Sequence, residues 1–419
     1  MDRRPDASTP DRRYSLSPLA MMLILAGGFA VSQAFRTVAS IFSVPLAQEL
    51  GMTTRQLGSW SATFHLTFGL SQFMMGVALD VYGPRRTVLT AAPLAVVGAA
   101  VCACAPAYEA LLIGQVLIGL GCAPAFLACT VFVAREFDSS RFTSLSGLCM
   151  SFSSLGILYT GTPLAYIVEH GSWRLGYWSL AALAALSTGL IAAFVRLRPL
   201  EPLAADPPAP QQGFLRALRE LLPLLRIRHT AGLLCFALVS YASMMTLRGL
   251  WLGPLLQERH GVSLIVVGNV AVVMTVGAMI GPTLFGRLDP GGRRRTRTMV
   301  GLALTLAAIL AVMAFTRSQA IDIVGAIVAG LLSGYGIWQY AYMKNAYAPQ
   351  QTGRIIALAN SSMFLGVALM QWATGVASTW AAQHGIETFE AALLTMAVML
   401  AAGTLAFAWL PQAQASAES

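Results

Sequence analysis

GVALDVYGPRRTVL, Gly76 to Leu89, places a glycine, a carboxylate, a second glycine and two arginines between two long apolar runs. The stretch has a counterpart 209 residues on. Around it, Pro45, Gln48, Glu49, Asp80, Gly83 and Arg85 are matched by Pro254, Gln257, Glu258, Asp289, Gly292 and Arg294. One offset, held without a gap over a helix–loop–helix–loop unit, marks an internal duplication. Further along each half the offset becomes 213, with Gly121 matching Gly334 and Arg141 matching Arg354. Order and direction are the same in both copies, so the halves are related by an axis along the membrane normal, and a solute site is expected between them near midplane.

Composition says what is duplicated. Of 419 residues, 56% are hydrophobic and 11% charged, with a mean hydropathy of +0.66. A soluble domain carries about 25% charged residues, so most of this surface is expected to face lipid. Apolar runs of spanning length fall at 19–43, 56–78, 87–105, 107–134, 142–168 and 174–196, then at 229–253, 264–286, 298–316, 320–344, 354–380 and 388–410. The reading is an all-α polytopic membrane protein of twelve transmembrane helices in two pseudo-symmetric six-helix bundles, 19–196 and 229–410. Tails at 1–18 and 411–419 flank them. The linker, 197–228, combines a Pro-Ala stretch with FLRALRELLPLLRIR, which reads as a basic amphipathic helix on a membrane surface.

Charge distribution orients the chain. The N-terminus and the loops after spans 2, 4, 6, 8 and 10 hold 21 of the 27 basic residues. Both termini and the linker are therefore expected in the cytoplasm, with the bacterial inner membrane as the location. The net charge of +9 is spread in small groups between apolar segments, which argues against nucleic acid as a partner. Arg3, Arg4, Arg12 and Arg13 before the first apolar run resemble a signal peptide, but the run is long enough to span and no small-residue cleavage site follows. The six cysteines show neither CxxC pairs nor zinc-ligand spacing, so no metal and no cofactor is expected.

With these features in place, GVALDVYGPRRTVL resembles the loop 2–3 signature of the major facilitator superfamily, Gly-x-x-x-Asp-x-x-Gly-x-Arg-Arg/Lys. A degenerate copy at 285–295 falls in loop 8–9, where the family keeps one. Gly76 and Gly83 would permit close helix approach and a tight turn. Asp80 would cap a neighbouring helix N-terminus, with Arg85 and Arg86 pairing to it or anchoring at the anionic leaflet. The resemblance implies that this cluster, with Asp289 and Arg294 in the second half, latches the halves in an outward-open state. Two patterns of proton-coupled exporters are only partly present. Gln115 stands where such members often carry arginine, and Gly156, Gly161 and Pro163 match the antiporter glycine-proline pattern in part.

Three ionisable side chains lie deep in the spans: Arg36 in span 1, His65 in span 2 and Arg248 in span 7. A charge at bilayer depth costs roughly 2.5–3.5 kcal/mol or more, so it calls for compensation. Spans 1 and 7 are repeat equivalents, and at about 1.5 Å per residue the two arginines sit at similar depth. Two guanidinium forks facing a wet chamber, with no buried carboxylate among the spans, would favour a carboxylate, phosphate or sulfonate. Organic-anion members of the family place arginines on the same two helices. The alternatives are snorkelling of the arginines and a packing role for His65. Gln33, Gln115 and Tyr241, together with Tyr335, Trp338, Gln339 and Tyr342 of LLSGYGIWQYAYMKN, are the candidate lining residues.

The sequence therefore reads as a monomeric secondary transporter of a small organic anion, coupled to a proton or an exchanged anion. The competing reading is a proton-coupled drug efflux antiporter. An enzyme is disfavoured because HExxH, GxSxG and deep metal-ligand clusters are absent from the sequence. A solute sensor without flux is a further alternative.

Overall fold

The computed structural model describes residues 16–138, 141–196 and 223–411, and the regular structure among them is helical. Span 1 is Pro18–Phe35, a turn over residues 36–38, and Ala39–Leu50. Spans 2 and 3 run together as Thr54–Ala103, bent at Gly83, whose φ of 76° lies in the region that favours glycine. Span 4 is Tyr108–Cys122 plus Ala125–Glu136, span 5 Phe142–Tyr159 plus Thr162–His170, and span 6 Trp173–Phe194.

The second half repeats this order. Span 7 is Thr230–Thr246, a π turn Leu247–Trp251, and Leu252–His260. Spans 8 and 9 are Leu264–Arg287 and Gly292–Phe315. Span 10 is Gln319–Leu332, a 3-10 turn Ser333–Gly336, and Ile337–Ala346; spans 11 and 12 are Pro349–Gln383 and Thr388–Trp409. The amphipathic helix expected in the linker lies mostly outside the described residues, as do residues 1–15 and 412–419.

Among the described residues, ten helices are long and apolar enough to cross a membrane by length and composition. Spans 2 and 5 are not among them; span 5 is broken between Tyr159 and Thr162. Span 2 packs on span 11, and span 5 on span 8, across the boundary between the halves. Spans 1, 4, 7 and 10, the first and fourth of each half, are all interrupted near their middles. Irregular backbone at that depth is tolerated where protein or a wet cavity satisfies it.

The duplication is visible in the packing. In the first half Gly156 of span 5 sits on the backbone of Ala30 in span 1; in the second, Gly366 of span 11 sits on Leu238 in span 7. No side chain larger than hydrogen fits at either crossing, the small-residue mode by which membrane helices approach closely.

The halves meet tightly at the end opposite Pro18 and Trp409. Gly253 of span 7 rests on the Ser40 carbonyl of span 1, and Gly58 of span 2 on Gln371 and Gly375 of span 11. The Thr54 and Thr379 hydroxyls lie 2.8 Å apart, and Thr162 meets Asn269 at 2.6 Å. Glu169 accepts the Ile265 amide at 2.8 Å, a carboxylate on the N-terminus of span 8 where the helix dipole favours it.

Candidate functional site

Arg36 occupies the break in span 1, where the chain leaves the helix after Phe35. Its side chain is buried, with the residue 6% exposed. The guanidinium carbon stands 4.5 Å from the Phe68 ring centre, 4.9 Å from Phe364 and 5.6 Å from Phe29. Phe68 and Phe29 belong to the first half and Phe364 to the second, so the charge is boxed at the boundary. One weak hydrogen bond runs to Ser32 Oγ at 3.5 Å, and Nε has no partner. Tyr241 of span 7 interacts with the guanidinium from the other half. Among the described residues no carboxylate pairs with Arg36. Cation–π contacts contribute roughly 0.5–2 kcal/mol each, which only partly offsets burial of a charge.

A cluster of unsatisfied polar groups surrounds this cation. His65, 1% exposed, uses Nδ1 to donate to the Ser61 carbonyl at 3.2 Å, because that oxygen can only accept. Its Nε2 is buried and unpartnered. Gln371 of span 11 interacts with the imidazole, and neither amide atom of Gln371 has a further hydrogen-bond partner. Gln33 Oε1 is likewise unpaired. Native interiors rarely leave such groups without partners. Gln371 was missed in the sequence, although a glutamine within the apolar run VALMQWATGV was the available signal.

Arg248 departs from expectation. It is fully buried in the π turn of span 7, but its head is held by four hydrogen bonds to neutral oxygens. Nε donates to Thr275 at 3.4 Å, Nη1 to Ser40 at 3.3 Å, and Nη2 to the Ile157 carbonyl at 3.2 Å and Thr160 at 3.4 Å. Ser40, Ile157 and Thr160 lie on the first half. Arg248 therefore joins the halves rather than facing an open chamber, and it is not turned toward lipid.

Several lining candidates also point elsewhere. Gln115 donates to the Tyr177 hydroxyl at 3.2 Å, tying span 4 to span 6 within the first half. Trp338 donates to the Phe285 carbonyl at 2.8 Å and packs edge-on against that ring. Tyr342 packs on Phe407 of span 12. Gln339 Oε1 accepts from Ser240 of span 7 at 3.3 Å, leaving Nε2 unpaired; the Tyr335 hydroxyl, packed near Phe236, is also unpaired. The residue of span 10 that does approach the Arg36 region is Tyr340. It interacts with Tyr241 and donates to Asn360 of span 11 at 2.8 Å.

A family model for the Major Facilitator Superfamily matches residues 24–371. The chain belongs to this superfamily. It is 25% identical to the MFS-type transporter VdtG of Byssochlamys spectabilis over 66% of this chain and 47% of that one. It is 23% identical to the hexuronate transporter of Bacillus subtilis over 63% and 62%. It is 24% identical to a probable sulfoacetate transporter of Cupriavidus necator over 70% and 71%. The chain thus spans about half to two thirds of the length of the first two of these relatives. A bacterial homologue of the human lysosomal transporter Spinster, solved in an inward-facing and occupied conformation, superposes with a TM-score of 0.74 at 15% identity, covering 96% of this chain and 97% of that one. At that identity the likeness establishes the fold alone.

The superfamily's loop 2–3 signature is in place but differently engaged than expected. Arg85 donates to the Ala192 carbonyl of span 6 at 2.8 Å, within its own half, and Arg86 is exposed. The Asp80 side chain lies outside the described residues. A Cβ on Gly76 would meet nothing within 4 Å, so the expected close helix approach is not made in this conformation. In the second half Asp289 is paired by Arg295, not Arg294: Nε and Nη2 each reach a carboxylate oxygen at 2.7 Å. Arg294 points into open surroundings because the helix beginning at Gly292 turns Arg295 back toward Asp289. That fork holds the Asp289 carboxyl below its ordinary value.

A cavity between the described helices lies apart from Arg36. It is about 450 Å³ of apolar groove between spans 1, 5 and 6, lined by residues such as Leu23, Ala30, Phe152, Leu155, Tyr159 and Leu190.

Proposed function

We propose that this multi-pass membrane protein carries a small organic anion, a carboxylate or sulfonate, by alternating access of its two halves. The observation that supports it most is Arg36: a guanidinium buried at the boundary between halves, boxed by three phenylalanines, without a carboxylate partner among the described residues. An incoming anion would supply the missing charge through a fork-on-fork contact. His65, Gln371 and Gln33 would then meet the polar atoms of the solute. Two relatives carry names that specify hexuronate and sulfoacetate.

Under the positive-inside reading, the tightly packed end bearing Ser40–Gly253 and Glu169–Ile265 faces outward, the chain termini face inward, and this conformation is closed to the outside. The location is the bacterial inner membrane, with a proton or a second anion as the coupling species. Arg248 belongs to the outer seal in this state.

Thermal-shift titration of the purified protein against carboxylates, sulfonates, phosphates and amines tests the reading. Stabilisation by carboxylates or sulfonates that is lost in Arg36→Gln supports it; stabilisation by amines alone overturns it. Efflux of lipophilic compounds is the second reading. The apolar groove between spans 1, 5 and 6 favours it, and transport of lipophilic amines that survives Arg36→Gln would establish it.

A further inference from the structure

The apolar groove between spans 1, 5 and 6 has a floor, two walls and one closed end. Span 5 leans on span 1 through Gly156, which sits on the Ala30 backbone. Span 6 leans on it through Gly28, whose Cβ position is 3.2 Å from Ile191 and from Ser187. Between these crossings the floor is made of Gly27, Ala30 and Ala34, too small to fill the gap. A Cβ added at Gly27 would meet nothing within 4 Å. Tyr159 of span 5 donates to Ser179 of span 6 at 2.7 Å and closes the end nearest midplane. On the rim Leu155, Leu186 and Leu190 are exposed, so the groove opens toward the surrounding bilayer.

The second half shows that the fold does not require this gap. Its counterpart helices are spans 7, 11 and 12. There span 12 packs along span 11 as well as on span 7. Gly403 brings it down onto span 7, where a Cβ would meet Val239 and the Cys235 carbonyl at 2.6 and 2.8 Å. What protein closes in the second half is left open in the first.

We infer that the groove is a binding site for an anionic phospholipid of the cytoplasmic leaflet, which lays one acyl chain along span 1. A concave apolar face at membrane depth does not stand empty, because atoms that line a void lose their dispersion partners. From Leu23 to Ala34 the floor runs about 16 Å at 1.5 Å per residue. A hydrocarbon core of about 30 Å gives each leaflet about half that depth, so the groove accepts one chain from end to end. Its mouth selects the head. Arg141 precedes span 5 and Arg196 follows span 6, both exposed, on the side that the positive-inside reading makes cytoplasmic. Span 1 begins at the same end, with the positive pole of its dipole at Pro18. Glu136 and Asp138, the acids nearest Arg141 in sequence, belong to the end of span 4, which does not line the groove. Basic mouths between helices on the cytoplasmic side favour lipid phosphates.

The site adjoins the machinery of the first half without sharing its polar groups. Ala30 and Ala34 line the groove, and the helix that carries them ends at Phe35, directly before Arg36. A chain in the groove therefore packs against the helix that leads into Arg36 and holds it between spans 5 and 6.

The test needs no solute, so its failure and that of the anion assignment are distinguishable. Melting temperatures of the delipidated protein are measured in detergent with added phosphatidylglycerol, or with phosphatidylcholine of the same chains, and bound lipid is counted by native mass spectrometry. The parent is expected to retain one phosphatidylglycerol and to be stabilised more by it than by phosphatidylcholine. Gly27→Leu fills the groove from its floor with a better helix former. Without lipid it should melt no lower than the parent, which separates a filled groove from a misfolded bundle, and it should lose the retained lipid and the gain. Arg196→Gln should keep a gain but lose the preference for the anionic head. Equal stabilisation by the two lipids in the parent, or an unchanged gain in Gly27→Leu, overturns the inference and leaves only lipid surrounding the protein. Stabilisation by dodecylamine in place of phosphatidylglycerol, lost in Gly27→Leu, also overturns it and gives the groove to the efflux reading.

Discussion

Gly253 rests on the carbonyl oxygen of Ser40 with no space for a methyl group between them. The contact joins span 7 of one half to span 1 of the other. It lies one helical turn from Gly249, whose Cβ position is 3.2 Å from the Arg36 carbonyl. The Gly253–Ser40 seal and the Arg36 region thus share one helix crossing, and movement at one must be felt at the other.

Gly253→Ala should therefore fold but fail to reach the outer-closed state. Solute uptake is expected to fall at least tenfold, about 1.4 kcal/mol, while a cysteine at Thr37 becomes reactive to a membrane-impermeant thiol reagent. An unreactive Thr37→Cys in that background would mean the seal tolerates the methyl.

Arg248→Met should shift the same equilibrium by another route. The substitution removes four contacts to Thr275, Ser40, Ile157 and Thr160, three of them across the boundary, and leaves behind hydroxyls that can rehydrate. Increased outer accessibility of Thr37→Cys, with solute affinity changed less than by substitution of Arg36, is the expected pattern. Equal loss of affinity would return Arg248 to the binding site.

Gln371→Leu separates a solute contact from a packing role. Both amide atoms are buried and meet nothing but the His65 imidazole, so their removal should leave the melting temperature unchanged or higher. Affinity should fall about tenfold, roughly 1.4 kcal/mol. A lower melting temperature with intact affinity would make Gln371 structural.

Acid stability should depend on Asp289. Its carboxyl lies below the ordinary 3.8 because Arg295 binds the ionised form. A depressed acid contributes stability that is present above the unfolded value and lost as pH falls through the folded one. Melting temperatures recorded downward from about pH 5 should drop through that window in the parent and less in Asp289→Asn. Parallel curves would show that the pair does not hold loop 8–9.

The architecture was legible because it rests on signals sequence carries well: spanning length, basic loops on one side, and an offset duplication. What span 10 presents was not. The 3-10 turn at Ser333–Gly336 advances with three residues per turn instead of 3.6. Trp338 and Tyr342 therefore face spans 8 and 12, and Tyr340 takes the place nearer the site. The depth of Arg248 is visible in the sequence and suggests a ligand, whereas Ser40, Ile157 and Thr160 are brought to it only by the meeting of the halves. Asp322 stands at the start of its span in the sequence, and only the ends of spans 7, 9 and 12 cover it in the fold. Arg36 was readable as deep and charged, but its phenylalanine box comes from three other positions along the chain.

The central claim is that Arg36 receives the negative charge of the solute. Its most direct test is uptake of labelled hexuronate and sulfoacetate into proteoliposomes by the parent protein, Arg36→Lys and Arg36→Ala. The account predicts saturable uptake of at least one of these anions by the parent. It also predicts near-complete loss in both variants, which should remain monodisperse, since lysine keeps the charge but not the planar fork. Undiminished anion uptake by Arg36→Ala would contradict it.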